Sequence, residues 1–126
     1  MQPLILLAIG AGGFTGAVLR FLISGWVQKI SPSLFPYGTL SVNVLGSLII
    51  GFASLYFESV AAPHHKALII TGMLGALTTF STFSLETVTM LQGGFWVRAG
   101  ANITLNAVLC VVATMIGMML FKRLYG

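Results

Sequence analysis

The segment "HKALIITGMLGALTTFSTFSLETVTML", residues 65–91, decides the fold. Its length and apolar ends suit a helix that crosses a bilayer, which needs about 20 residues. Its middle does not suit one. Gly72 and Gly75 weaken the helix there, and "TTFSTFS" follows at Thr78–Ser84, with hydroxyls on five of its seven residues. One or two such hydroxyls can bond back to the helix's own carbonyls. Five in seven call for another reason. At helical spacing Thr79, Thr82 and Glu86 form one stripe and Phe80, Phe83 and Thr87 the next, so hydroxyls flank a phenylalanine ridge.

Three further apolar segments surround this one. The expected helices are about 3–27, 37–58, 66–92 and 95–121, joined by "QKISPSLFP", "SVAAPHH" and "GG". Prolines and glycines punctuate these connectors. The N-terminal "MQPLILLAIGAGGFTGAVLRFLISGW" lacks a basic lead, and its apolar run exceeds that of an ordinary signal peptide. It reads as a mature membrane helix. The expected fold class is an all-α membrane protein, one domain over residues 1–126, with four transmembrane helices per protomer and both termini on one side.

Composition agrees. The chain is 57% hydrophobic and 6% charged, with a mean hydropathy of +1.02. A soluble domain is about a quarter charged. Six Lys/Arg spread along the chain make no basic patch, which excludes nucleic acid as a partner. Cys110 is the single cysteine, read as a small buried hydrophobe. His64 and His65 are adjacent and lack companion ligands. No metalloprotease, hydrolase or phosphate-loop motif occurs, so an enzyme is not expected.

Basic residues normally set orientation. Lys66, Lys122 and Arg123 fall on the side of the termini, against Lys29 and Arg98, with Arg20 just inside helix one. This near balance leaves two readings open: insertion in both orientations, or one topology fixed by Lys122 and Arg123. Gly12-x-x-x-Gly16 and Ser47-x-x-x-Gly51 suggest close helix contacts and give mild support to an oligomer.

Polar residues inside spans are costly and are candidates for function. Arg20 either snorkels to the interface or makes a vestibule positive. Asn43 is either interhelical glue or a donor to a permeating solute. Asn102 and Asn106 lie one turn apart and share a face of helix four, again as glue or as a polar line. The Gly72–Thr79 region falls near the middle of its segment. A broken helix at that depth is tolerated where it lines a cavity or binds an ion.

These motifs, "GGFTGAVLRF", "GTLSVNVLGSLIIG" and "GMLGALTTFSTFSLE", occur in order in a chain of this size. Together they resemble the Fluc (CrcB) fluoride channels along essentially the whole length. The resemblance implies an antiparallel dual-topology homodimer with two fluoride pores. It also implies a structural Na+ on the dimer axis, bound by the backbone carbonyls of Gly75 and Thr78 where helix three breaks near the midplane. It further implies a fluoride pore of Asn43, Phe80, Ser81, Thr82 and Phe83, with Arg20 at the vestibule. A tyrosine that some members bring from helix four is not evident here. Thr79 and Ser84 have no assigned role beyond helix packing.

The expected function is a fluoride-selective passive channel that exports fluoride across the bacterial inner membrane and relieves its toxicity. The alternative is a small dual-topology proton-coupled multidrug exporter, for which Glu86 is the candidate intramembrane acid. A structural assembly subunit would leave "TTFSTFS" unexplained.

Overall fold

In a computed structural model, which describes residues 2–126, the described residues form helices joined by short turns. α1 spans Pro3–Ile30 and α2 spans Tyr37–Ser59. The third span, Pro63–Gln92, is composite. It begins with α3, Pro63–Lys66, and continues as a π-helix over Ala67–Leu74. α4, Gly75–Leu77, follows, and after two extended residues comes α5, Phe80–Gln92. α6 is Trp96–Tyr125. All four spans are long and apolar enough to cross a membrane.

Local sequence explains the boundaries. Pro3 and Pro63 sit in the first turns of α1 and α3, where a missing amide hydrogen costs nothing. α1 continues past residue 27 because no breaker occurs before Pro32. Gln28 then organises the turn into α2: its Nε2 donates to the carbonyls of Ser33 and Phe35, and its Oε1 accepts from the Gly38 amide at 3.0 Å. α5 ends at a glycine pair. Gly94 has φ +82, the Phe95 amide donates to Met90 at 2.8 Å, and the Gly94 amide donates to Leu91 at 3.1 Å. Those two bonds close a Schellman motif and reverse the chain into α6.

Packing follows the small residues. α1 lies against the π-helix, α2 against α6, and α5 against α6. A Cβ on Gly12 would collide with the Leu68 carbonyl, and one on Gly16 with the Met73 carbonyl. α2 and α6 approach as closely: a Cβ added to Gly51 would collide with the Thr114 carbonyl, and one added to Gly117 with that of Leu48. Both small-residue motifs are therefore used within the chain and give no support to an oligomer. The core between the helices is built on Val42, Leu74 and Leu77. Large apolar side chains such as Leu7, Phe14, Phe21 and Val97 face outward, as suits a lipid-facing surface.

Candidate functional site

The site is built around two extended residues. Thr78 has φ −85, ψ 156 and Thr79 has φ −147, ψ 116. Extended backbone inside an apolar span must find partners for its polar groups. Asn43 of α2 supplies them. Its Oδ1 accepts from the Thr79 amide at 2.8 Å, and its Nδ2 donates to the Thr79 carbonyl at 3.2 Å. The second Nδ2 hydrogen goes to Oδ1 of Asn106 at 3.0 Å. Both donors of Asn43 are thus committed.

Thr79 also starts α5. Its Oγ1 accepts from the Thr82 amide at 3.2 Å, which makes it a side-chain N-cap. The same oxygen donates to the Thr82 hydroxyl at 3.0 Å and lies 3.4 Å from the Ser81 hydroxyl. Reading Thr79 as helix packing missed this. The signal was available in a threonine followed three residues later by another at a helix start. The helical stripes consequently begin at Phe80, although the Thr79 hydroxyl still joins Thr82.

The interruption leaves the carbonyls at the end of α4 without helical amide partners, those of Gly75 and Thr78 among them. In a continuous helix the Thr79 amide would bond the Gly75 carbonyl; here it donates to Asn43. The Thr82 amide would bond the Thr78 carbonyl; here it donates to Thr79 Oγ1. Gly75 and Thr78 are the two positions singled out for their carbonyls. The Thr78 hydroxyl is occupied locally, donating to the Leu74 carbonyl at 3.2 Å.

Two cavities meet at Thr79. The larger, about 540 Å³, is walled by Asn43, Gly75, Thr78, Phe80, Phe83 and Asn106 among others. The smaller, about 190 Å³, is walled by Arg20, Ser24, Thr39 and Thr82. Thr79 lines both. Phe80 and Phe83 stand 5.2 Å apart with their planes at 56°, and Phe80 is 77% exposed on the single chain. Ser81 is on neither wall and reaches the group only through Thr79. Cys110, expected as a buried hydrophobe, is half-buried and lines the larger cavity. Glu86 Oε1 is buried with no hydrogen-bond partner among the described residues.

Four apolar spans, the third interrupted between a mostly apolar cavity and a smaller, more polar one, define a multi-pass membrane protein. The chain belongs to the CrcB-like family: the family model described as "CrcB-like protein, Camphor Resistance (CrcB)" matches residues 7–118. It is 81% identical over 126 residues to a "Fluoride-specific ion channel FluC" of Sulfurovum sp., covering 100% of both chains. A protein of the same name from Nitratiruptor sp. is 59% identical over 122 residues, covering 97% of this chain and 95% of its own. One from Campylobacter lari is 48% identical over 118 residues, covering 93% and 97%.

Proposed function

We propose that the chain is a fluoride-selective passive channel through which a bacterial cell sheds fluoride across its inner membrane, relieving fluoride toxicity. The observation that carries this is full-length identity of 81% to a relative named a fluoride-specific ion channel. The site supplies a physical rationale. Stripping water from a small anion is very costly unless other groups replace it. Arg20 draws the anion to the smaller cavity, and the hydroxyls of Ser81 and Thr82 offer donors next to Thr79. Phe80 and Phe83 present positive ring edges on the far side. Serial weak contacts suit conduction, because a site must release what it binds. Asn43 serves this pathway by holding Thr79, since its own N–H groups are taken.

The working unit in this proposal is an antiparallel dual-topology homodimer. Phe80 is 77% exposed, and the larger cavity opens on the surface of one chain. A second copy would enclose both. The near balance of basic residues across the membrane permits insertion in either orientation. The interruption at Thr78–Thr79 is taken as the midplane break, and the carbonyls of Gly75 and Thr78 as ligands of a structural Na+. All-oxygen backbone donors fit a hard monovalent cation. Bound there, the ion would satisfy carbonyls that the helix leaves free and would help hold two copies together.

Glu86, with its unpartnered buried oxygen, is the feature that favours a proton-coupled exporter instead. Purified protein in fluoride-loaded liposomes separates the two. A channel releases fluoride at equal pH on both sides, and a proton-coupled multidrug exporter does not.

A further inference from the structure

Asn102 and Asn106 of α6 have no role assigned in the pathway described above, although Asn106 walls the larger cavity, and both are buried, at 1% and 8% exposure. Their hydrogen bonds run in one direction. Asn43 Nδ2 donates to Asn106 Oδ1 at 3.0 Å. Asn106 Nδ2 donates to the Asn102 carbonyl at 2.9 Å and to its Oδ1 at 3.0 Å. Asn102 Nδ2 donates to Thr87 Oγ1 at 3.0 Å, and that hydroxyl donates to the Phe83 carbonyl at 2.8 Å. The line leaves α2, crosses α6 and arrives on α5.

Both ends of this line grip the same two turns. At one end Asn43 holds Thr79, the cap of α5. At the other, Thr87 holds the carbonyl of Phe83. The turns between them carry Phe80 and Phe83. An apolar span free to rotate about its axis could not hold two rings on one cavity wall, and lipid-like side chains do little to prevent that rotation, since lipid tails are as apolar as they are. A continuous chain of hydrogen-bonded buried amides does set one, since displacing any member leaves a buried donor or acceptor unpaired.

We propose that Asn102 and Asn106 are positioning residues for the pathway: through Asn43 and Thr87 they fix the register of the α5 turns that bear Phe80 and Phe83. Ordinary glue between helices would stabilise α6 on its neighbours without acting on Thr79 in particular. The proposal rests on the channel reading for its functional meaning, while the ladder itself is open to a test that needs no transport.

That test is amide hydrogen exchange read by NMR on the full-length protein in detergent micelles or nanodiscs, with Asn106→Leu and Thr87→Val. The Leu variant removes the acceptor of Asn43. The Val variant removes the acceptor of Asn102 with almost no change of shape, and its fold is checked by its circular dichroism spectrum. In Asn106→Leu the amides of Thr79 and Thr82 should exchange about tenfold faster or more. Thr87→Val should shift them the same way by less. Amides of Ala53 and Ala113, in α2 and α6 away from the ladder, should keep their rates. Unchanged exchange at Thr79 in either folded variant overturns the proposal, and so does an equal rise at Ala53 and Ala113, which marks plain helix glue. Fluoride release from liposomes is measured on the same proteins and should fall in Asn106→Leu. Wild-type vesicles that release no fluoride overturn the channel reading and leave the ladder to be decided by exchange alone. Faster exchange at Thr79 with undiminished release overturns the functional half of the proposal.

Discussion

The carboxamide of Asn43 faces the peptide groups of Thr79 and pairs with both, accepting from its amide at 2.8 Å and donating to its carbonyl at 3.2 Å. One side chain from α2 thus does for an extended residue what a neighbouring strand does for another. Everything placed at the site hangs on this pair. Thr79 caps α5 only because its backbone is held extended, and the carbonyls of Gly75 and Thr78 are freed for the same reason.

Replacing Asn43 should therefore be severe. Asn43→Leu leaves the buried Thr79 amide without an acceptor, at a cost of about 1–3 kcal/mol. The expected result is a protein that inserts, unfolds more readily in denaturing detergent, and carries little fluoride. Wild-type stability together with wild-type flux would show that the pairing is dispensable.

The two rings should matter for transport and not for folding. Phe80 is 77% exposed on the chain, so Phe80→Ile removes little buried contact. Phe80→Ile and Phe83→Ile should each cut fluoride flux by about tenfold or more, equivalent to about 1.4 kcal/mol in the barrier. Gel filtration should return the proposed dimer for both variants as for the wild type. Monomers would mean that the rings hold copies together instead.

Thr78 is predicted to act through its backbone. Thr78→Ser should preserve any Na+ dependence of activity, because the proposed ligand is a backbone carbonyl. A second test comes from Gly46, where an added Cβ would collide with Thr78 Cγ2. Gly46→Ala should impair the protein, and Gly46→Ala combined with Thr78→Ser should restore it, since serine lacks that methyl. Failure of the double variant to recover would place the clash elsewhere.

Helix packing gives a paired prediction. Gly12→Ala drives a methyl into the Leu68 carbonyl and should cost about 1–3 kcal/mol or more. Gly13 is its neighbour and has nothing within 4 Å of an added Cβ. Gly13→Ala should be neutral or stabilising by up to about 1 kcal/mol. Thermal unfolding of the two variants in one detergent checks this. Equal losses would contradict the close approach of α1 to the π-helix.

Much of this architecture is legible in the sequence, for identifiable reasons. Four long apolar runs leave no other fold for a chain with 6% charged residues. Gly72, Gly75 and the hydroxyls of Thr78–Ser84 mark where the third span departs from a plain α-helix. Other features are set by tertiary partners that no local pattern reveals. Gly12-x-x-x-Gly16 says that two helices meet closely but cannot say that the second is in the same chain. Asn43 looks like a donor to a solute until Thr79 and Asn106 are seen to occupy both its hydrogens. The π-helix at Ala67–Leu74 leaves no mark that a period of 3.6 would expose. The spacing of Asn102 and Asn106 gives their shared face, and only the fold shows that Thr87 lies at its end.

The central claim is passive, selective movement of fluoride, and vesicle efflux tests it most directly. Purified protein is reconstituted in liposomes loaded with fluoride or with chloride, at equal pH inside and out, and release is followed with ion-selective electrodes. The account predicts rapid release of fluoride, retention of chloride, and no requirement for a proton gradient. Fluoride retained until a pH gradient is imposed, or chloride released as fast as fluoride, would contradict it.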